Sequence, residues 1–210
     1  MMKTAEKVLL TSLEMFNQHG ETNITCVDIA IELDISPGNL YYHFKGKEAI
    51  VTALFDMYMQ RSSKILVSPE SEKLSLSEFF HYLFRLLESV HLFRFIYRNP
   101  NDLMQKYSAI ERNFKRLINS KEEAFTAILH HFKTMDAIAA NESQIEALAQ
   151  LINLMLTQSQ NYFLLTGVNI KQEDISVHCL KLLFHALAPY LLISNSEKST
   201  IWLAITEQNI

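Results

Sequence analysis

The side chains best suited to chemistry in this sequence crowd into one short stretch, ISPGNLYYHFKGKEAI, at residues 35–50. Its polar and aromatic members combine hydrogen-bonding groups with two ammonium groups. An asparagine amide can pair with adenine, and aromatic edges can pack on thymine methyl groups, so these residue types suit the reading of a DNA groove. The residues concerned are Asn39, Tyr41, Tyr42, His43, Lys45 and Lys47.

The remaining candidate groups lack the spacing that catalysis or metal binding requires. His130 and His131 are adjacent and point to different sides of a helix, while His178 and His185 are seven residues apart without a matching carboxylate or thiol. The sequence contains no HExxH motif, no glycine-rich phosphate loop and no ordered Ser/His/Asp set. We therefore expect no enzymatic activity, no metal site and no cofactor.

Local signals predict short helices leading up to this stretch. Apolar residues at helical spacing predict a first helix over 4–19, which Gly20 can end in a left-handed conformation. Thr25 stands three residues before Asp28, a pattern close to a capping box, and predicts a second helix at about 26–33.

A tight connection leads from there into a third helix, predicted at 37–43. Ser36 is placed to cap it, and Pro37 to take its first position, where a missing N–H costs nothing. Leu40 and Phe44 are four residues apart and should face the core. The side chains thereby turned outward or sideways are Asn39, Tyr41, Tyr42 and His43.

Composition favours an all-α globular chain. Of 210 residues, 49% are hydrophobic and 20% charged, and the four glycines and four prolines are too few for a fold that must turn often. Ser194 to Ser199 is polar and is interpreted as a loop before a short tail. The further helices are predicted at about 47–63, 75–97, 100–134 with an interruption near Lys106, 142–166 and 173–193.

Cysteine use and hydropathy predict a cytoplasmic location. Cys26 and Cys179 form no metal-binding or redox spacing and are expected to be buried thiols in a reducing compartment. Charged residues interrupt the apolar residues of the N-terminus, so no signal peptide is predicted. No apolar run approaches the roughly 18 residues of a membrane span.

The run IAIELDISPGNLYYHFKGKEAI, with Thr25 and Asp28 before it, resembles the signature of TetR-family transcriptional regulators. In that family a Gly-x-Leu-Tyr-x-His-Phe-x-x-Lys stretch forms the recognition helix and the start of the next helix. Residues 91–114 resemble a segment of one TetR subgroup. The resemblance implies a three-helix helix-turn-helix DNA-binding domain at 1–47, joined through a fourth helix to a larger helical effector-binding and dimerisation domain at 48–210.

The same resemblance implies which side chains meet DNA. Thr25 and Lys47 would hold phosphates near helix N-termini, and Gly38 would let the backbone approach the duplex. Val27 stands where many relatives carry a polar or basic contact residue. The full predicted DNA-binding set is Thr25, Val27, Ser36, Pro37, Gly38, Asn39, Tyr41, Tyr42, His43 and Lys47.

Charge argues against tight DNA binding by this domain. The formal net charge of the chain is −4, and residues 1–60 account for it with four lysines against eight acidic residues. DNA affinity rests largely on phosphate neutralisation, so Lys3, Lys45 and Lys47 would have to form a local positive edge. Residues 85–121 carry eight basic and three acidic residues, which indicates a second nucleic-acid surface, a pocket for an anionic effector, or simply solvated helix faces.

Two further surfaces are predicted in the larger domain. A mixture of aromatic and polar residues could line an effector pocket, although such a stripe is also typical of a core. The two long helices at 142–166 and 173–193 are apolar over more than one face, which predicts either a homodimer interface or two fully buried helices. The candidate pocket residues are His81, Tyr82, Phe84, Phe93, Tyr97, Tyr107, Phe114 and His131.

The sequence thus predicts a homodimeric transcriptional regulator of the repressor type, which binds a pseudo-palindromic double-stranded DNA operator and answers to an unidentified small-molecule effector. The alternative is a helical protein-interaction or small-molecule-binding module whose acidic helix-turn-helix has lost DNA binding. A helical enzyme that uses the histidines and tyrosines is a third hypothesis, without supporting spacing.

Overall fold

A computed structural model describes residues 3–67, 74–167 and 175–207 of the chain. Within these ranges the backbone is helical apart from turns and one isolated β-bridge between Ile138 and Leu191, which confirms the all-α prediction. The helices are α1 Thr4–His19, α2 Cys26–Glu32, α3 Pro37–His43, α4 Lys47–Val67, α5 Leu76–Leu92, α6 Phe95–Arg98, α7 Pro100–Lys106, α8 Ser108–Thr134, α9 Glu142–Leu165, α10 Ile175–Leu187 and α11 Asn195–Thr206.

The first three helices lie close to where the sequence predicts them. α1 and α3 have the predicted bounds, and α2 ends at Glu32, one residue earlier than expected. Thr25 and Asp28 form a complete capping box at the start of α2. The turn into α3 passes through Asp34 with φ at 53°, a left-handed conformation that aspartate tolerates better than most residues. These caps fix the angle at which α3 leaves α2.

The chain folds into two compact units. The first consists of residues 1–61 and 93–114, and the second of residues 62–92 and 115–210. The predicted functional boundary after residue 47 stays a prediction. In the folded chain, however, the helix-turn-helix shares its compact unit with the beginning of α4 and with α6 and α7.

Aromatic packing holds the first unit together. The Phe16 ring of α1 lies 5.5 Å from the Phe95 ring of α6, and the Asn17 side-chain oxygen accepts a hydrogen bond from the Phe95 amide at 3.0 Å. The hydroxyl groups of Tyr58 and Tyr97, both fully buried, hydrogen-bond to each other. Residues 93–98 are therefore fixed against α1 and α4 by both apolar and polar contacts.

The second unit packs α5 against α9, α10 and α11 around an apolar core. The interpretation of Ser194–Ser199 as a loop is wrong, because these residues begin α11. Ser194 and Glu197 form a capping box, and Ile201 and Ile205 bury the apolar face of the helix. The polar first turn is thus a helix start and not a linker.

The helix predicted at 47–63 extends to Val67, whereas the later long helices are shorter than predicted. The helix predicted at 75–97 ends at Leu92 and is followed by the separate short helix α6. The predicted interruption near Lys106 is confirmed, since α7 ends there and α8 begins at Ser108. The helix predicted at 173–193 is α10 followed by a 3-10 turn at Ala188–Tyr190, and residues 173–174 lie outside the described residues.

Candidate nucleic-acid interface

The third helix presents a polar and aromatic face to solvent. Leu40 is fully buried, which confirms its predicted inward orientation, whereas Phe44 is only partly buried. Tyr42 is 77% exposed and Tyr41 47% exposed. Asn39 and His43 are exposed as well, so the four predicted outward side chains share the accessible part of α3.

The start of α3 leaves its backbone accessible. The Ser36 hydroxyl oxygen accepts a hydrogen bond from the Asn39 amide at 3.1 Å, and Pro37 takes the first helical position. Among the residues that the structure describes, a Cβ atom added to Gly38 would meet only the Ser36 hydroxyl oxygen, at 3.9 Å. No contact within the first unit therefore requires glycine at this position.

The carboxylate of Asp28, in the first turn of α2, occupies the N-terminus of that helix. The backbone N–H and hydroxyl group of Thr25 donate hydrogen bonds to the Asp28 carboxylate at 2.8 and 2.7 Å. The Thr25 hydroxyl group is the main cause that lowers the pKa of Asp28, so this carboxylate stays charged. A phosphate bound by Thr25 would have to approach it. Val27, next along α2, is 48% exposed.

Lys47 does not extend freely into solvent at the start of α4. Its ammonium nitrogen lies 2.8 Å from Oε1 of Glu21 and also donates a hydrogen bond to the Glu21 backbone oxygen. The side chain of Lys47 is 20% exposed and that of Glu21 only 5% exposed. The predicted phosphate contact is thus paired with a nearly buried carboxylate in the folded protein.

Glu21 gathers further donors from the region of α7. Lys106 Nζ donates a hydrogen bond to Glu21 Oε1 at 3.0 Å, and the Tyr107 hydroxyl group donates to the same oxygen. Burial acts to raise the pKa of Glu21, but hydrogen bonds from Lys47, Tyr107 and Lys106 outweigh it and leave that pKa below its ordinary value. Burial and the Glu21 carboxylate raise the pKa of Tyr107.

Sequence reasoning did not identify Glu21. The residue belongs to a 3-10 turn, Glu21–Asn23, between α1 and α2, where a single acidic residue gives no local signal of burial. Its partners Lys47 and Lys106 are 26 and 85 residues away. Tyr107, predicted to line an effector pocket, donates a hydrogen bond to Glu21, and its role in a pocket stays a prediction.

The acidic character of the helix-turn-helix is offset within its own compact unit. Residues 1–61 contain five basic and eight acidic residues, and residues 93–114 contain four basic and two acidic residues. The first unit therefore has a formal charge of −1. Lys3 and Lys45 are both exposed, as the predicted positive edge requires.

The candidate effector residues divide between the two compact units. Phe93, Tyr97 and Phe114 belong to the aromatic core of the first, where the Tyr97 and Phe114 rings are 5.5 Å apart. In the second unit, His131 lines a cleft of about 400 Å³ and the exposed His81 a smaller one of about 220 Å³. Tyr82 is buried and Phe84 partly buried in its core.

The interior of the second unit also holds polar groups that lack a hydrogen-bond partner among the described residues. The Tyr82 hydroxyl group is one, and burial raises its pKa. Asn153 donates to the Ile118 backbone oxygen at 2.9 Å, yet its own side-chain oxygen accepts nothing from the described residues. Buried polar atoms without partners are rare in native proteins. Further side chains of this kind are Ser62, Ser89, Ser159 and Gln160.

Within the described ranges, no helix combines the length and apolar character that a membrane crossing needs. The same residues contain no group of three or more histidine, cysteine, aspartate or glutamate side chains arranged to hold a metal ion.

Three N-terminal helices, with side-chain caps at the starts of α2 and α3 and an exposed face on α3, define a helix-turn-helix domain of the DNA-binding class. Family comparison identifies the family. Residues 8–54 match the model described as bacterial regulatory proteins of the tetR family, and residues 57–198 match the TetR model described as a bacterial transcriptional repressor. The chain belongs to the TetR family.

Individual relatives agree with this assignment. The chain is 26% identical over 149 residues to the "Probable HTH-type transcriptional regulator YttP" of Bacillus subtilis (strain 168), covering 62% of this chain and 72% of that protein. It is 34% identical over 56 residues to an uncharacterized HTH-type regulator of Xanthobacter autotrophicus, where the match spans 27% of this chain and 28% of the relative.

Solved structures agree as well. A TetR-family transcriptional regulator from Marinobacter aquaeolei VT8 superimposes with a TM-score of 0.82 at 26% identity, over 98% of each chain. The ketosteroid regulator KstR2 of Mycobacterium tuberculosis has the same fold, with a TM-score of 0.68 at 17% identity over 92% of this chain and 97% of that one.

Proposed function

We propose that the protein represses transcription by binding a pseudo-palindromic operator as a homodimer, with α3 as the recognition helix. The observation that carries this proposal is the accessible face of α3. Leu40 is fully buried while Tyr42 is 77% exposed, so a seven-residue helix is anchored on one side and open on the other. Asparagine, tyrosine and histidine side chains on the open side suit base edges and phosphates.

The supporting contacts come from the elements around α3. Gly38 leaves the start of the helix open to a backbone, and Lys3 and Lys45 are exposed cations. Thr25 and Val27 lie at the exposed start of α2. Binding by this nearly neutral unit depends on the fit of α3 and on helix ends more than on charge.

Binding of the full-length protein to its own promoter DNA, followed by electrophoretic shift at a stated salt concentration, tests the proposal. Asn39→Ala should change which operator sequence is preferred, because an amide reads base edges. Lys47→Ala should weaken binding equally across all sequences, because an ammonium group reads only phosphate. A native protein that shifts no DNA would favour the alternative, a helical binding module that has lost DNA binding.

We infer that the dimer forms through α9 and α10, as predicted for residues 142–166 and 173–193. Large apolar side chains remain exposed on both helices in the single chain. On α9, Leu154 is 58% exposed and Leu165 is 86% exposed, and their separation of eleven residues places them on one helix face. Leu182 of α10 is 43% exposed. A second copy would cover these side chains, and operator binding requires two recognition helices roughly 34–36 Å apart.

The effector site is proposed in the core of the second unit, near Tyr82 and Asn153. These two side chains are connected through α8, since the Tyr82 ring lies 6.3 Å from that of Phe125 and Asn153 bonds to Ile118. The partnerless oxygen atoms described above would then meet hydrogen-bonding groups of the effector. The effector would shift the equilibrium between a dimer geometry that binds DNA and one that does not. The size of that shift is limited by the difference between its affinities for the two geometries. We place the protein in the cytoplasm, and its two free, buried cysteines support this location. We also propose that it has no enzymatic activity.

A further inference from the structure

We propose that Glu21 is a positioning residue that competes with a DNA phosphate for the Lys47 ammonium group, and that the hydroxyl group of Tyr107 sets the outcome of this competition. The inference rests on the proposed phosphate contact of Lys47. It adds a nearly buried carboxylate, and the tyrosine that follows α7, to the residues that determine operator affinity.

The ion pair with Glu21 reduces the positive charge that Lys47 can offer to DNA. Its ammonium nitrogen lies 2.8 Å from the Glu21 carboxylate, within the same compact unit. A close pair of opposite charges is nearly neutral at a distance, so it attracts a phosphate far less than a free ammonium group does. Lys47 is also held near the Phe16 ring, 5.8 Å from its centroid. A phosphate must therefore draw Lys47 from its partner or accept a weaker contact.

The strength with which Glu21 holds Lys47 depends on the other donors to the Glu21 carboxylate. Oε1 of Glu21 is shared, because it accepts hydrogen bonds from Lys106 at 3.0 Å and from the Tyr107 hydroxyl group. These donors take up part of the negative charge that would otherwise act on Lys47 alone. Loss of one of these donors leaves more of the negative charge of Glu21 to act on Lys47. Any rearrangement that separates Tyr107 from Glu21 would thus tie Lys47 more tightly and weaken DNA binding.

This arrangement predicts opposite effects on DNA affinity for two substitutions that preserve the shape of the side chain. Glu21→Gln removes the carboxylate charge and frees Lys47, so affinity for DNA should rise. Tyr107→Phe removes only the shared hydroxyl group and leaves every charge in place, so affinity should fall. A purely structural role for this cluster would lower affinity in both variants.

The experiment measures binding of the full-length protein to a mixed-sequence duplex DNA by fluorescence anisotropy, at two salt concentrations that differ fourfold. Freeing one lysine should steepen the slope of log affinity against log salt by up to about 0.9, the contribution of one complete phosphate contact. The gain in affinity from Glu21→Gln should therefore be larger at the lower salt concentration than at the higher, by up to about threefold to fourfold. Tyr107→Phe should weaken binding, and this loss should vanish in the Glu21→Gln background.

Two controls make each outcome decisive. Tyr58→Phe removes another buried hydroxyl bond of the first unit, to Tyr97, and should leave the salt slope unchanged; thermal unfolding checks that all variants fold. If Lys47→Ala leaves DNA affinity intact, the proposed phosphate contact fails and the inference fails with it. If Lys47→Ala weakens binding but Glu21→Gln neither strengthens it nor steepens the slope, the inference alone is overturned.

Discussion

Replacement of Gly38 by alanine should separate the needs of the fold from those of DNA binding. Gly38 is the second residue of α3, and its φ does not lie in the left-handed region. The nearest atom to an added Cβ is the Ser36 hydroxyl oxygen at 3.9 Å, an ordinary contact distance. Alanine should therefore leave the free energy of unfolding unchanged or raise it by up to about 1 kcal/mol, because it restricts the unfolded chain.

The same methyl group should weaken DNA binding, since it would stand between the start of α3 and the duplex. Overpacking of a close-fitting contact costs about 1–3 kcal/mol, which corresponds to roughly fivefold to hundredfold weaker affinity. Thermal unfolding and fluorescence anisotropy of full-length Gly38→Ala measure the two quantities. A variant that binds as tightly as the native protein would refute the proposed close approach of DNA at Gly38.

Gly46 supplies the matched control for this experiment. Its φ is 127°, and among the described residues, apart from its chain neighbours, no atom lies within 4 Å of an added Cβ. Alanine there is strained by backbone conformation and not by crowding. Gly46→Ala should therefore lower the free energy of unfolding, whereas Gly38→Ala should not. Equal losses of stability in both variants would contradict the conformational argument.

Three further predictions concern stability, assembly and pH. Leu154→Glu, which places a charge on the proposed dimer face of α9, should convert the dimer to a monomer in analytical ultracentrifugation, and an unchanged dimer mass would place the interface elsewhere. Ser194→Ala removes the cap of α11 and should lower the free energy of unfolding by about 1 kcal/mol; chemical denaturation measures this, and no change would mean that the cap adds nothing. Because the pKa of Glu21 is lowered in the folded protein, its contribution to stability is present above its unfolded pKa and is lost as pH falls through the folded value. Glu21→Gln should therefore reduce the loss of stability on acidification, and identical acid-unfolding curves would contradict it.

The features that the sequence predicted are those set by neighbouring residues. The Thr25–Asp28 and Ser36–Asn39 contacts join residues three positions apart, so the starts of α2 and α3 could be predicted from capping rules alone. The inward orientation of Leu40 followed from helical spacing. Ser194 and Glu197 follow the same capping rule, but the polarity of this segment also suits a loop, and polarity alone gives the wrong prediction.

The Glu21 cluster could not be predicted, because it joins residues that are distant along the chain. Neither Lys106 nor Tyr107 carries a local signal for a partner 85 or 86 positions away. The aromatic character of Tyr107 predicts a pocket residue but gives no indication of its bond to Glu21. In the same way, Phe93, Tyr97 and Phe114 suited either a pocket or a core, and only tertiary packing distinguishes the two.

The formal charge of −1 on the unit that holds the helix-turn-helix also affects how the protein distributes between its operator and other DNA. Attraction to random DNA comes almost entirely from released counterions, and a genome offers on the order of a million or more competing sites. A DNA-binding unit that is nearly neutral is bound to those sites for only a small fraction of the time. Fewer molecules are then held on irrelevant sequence, so fewer copies of the proposed dimer should be needed to keep an operator occupied.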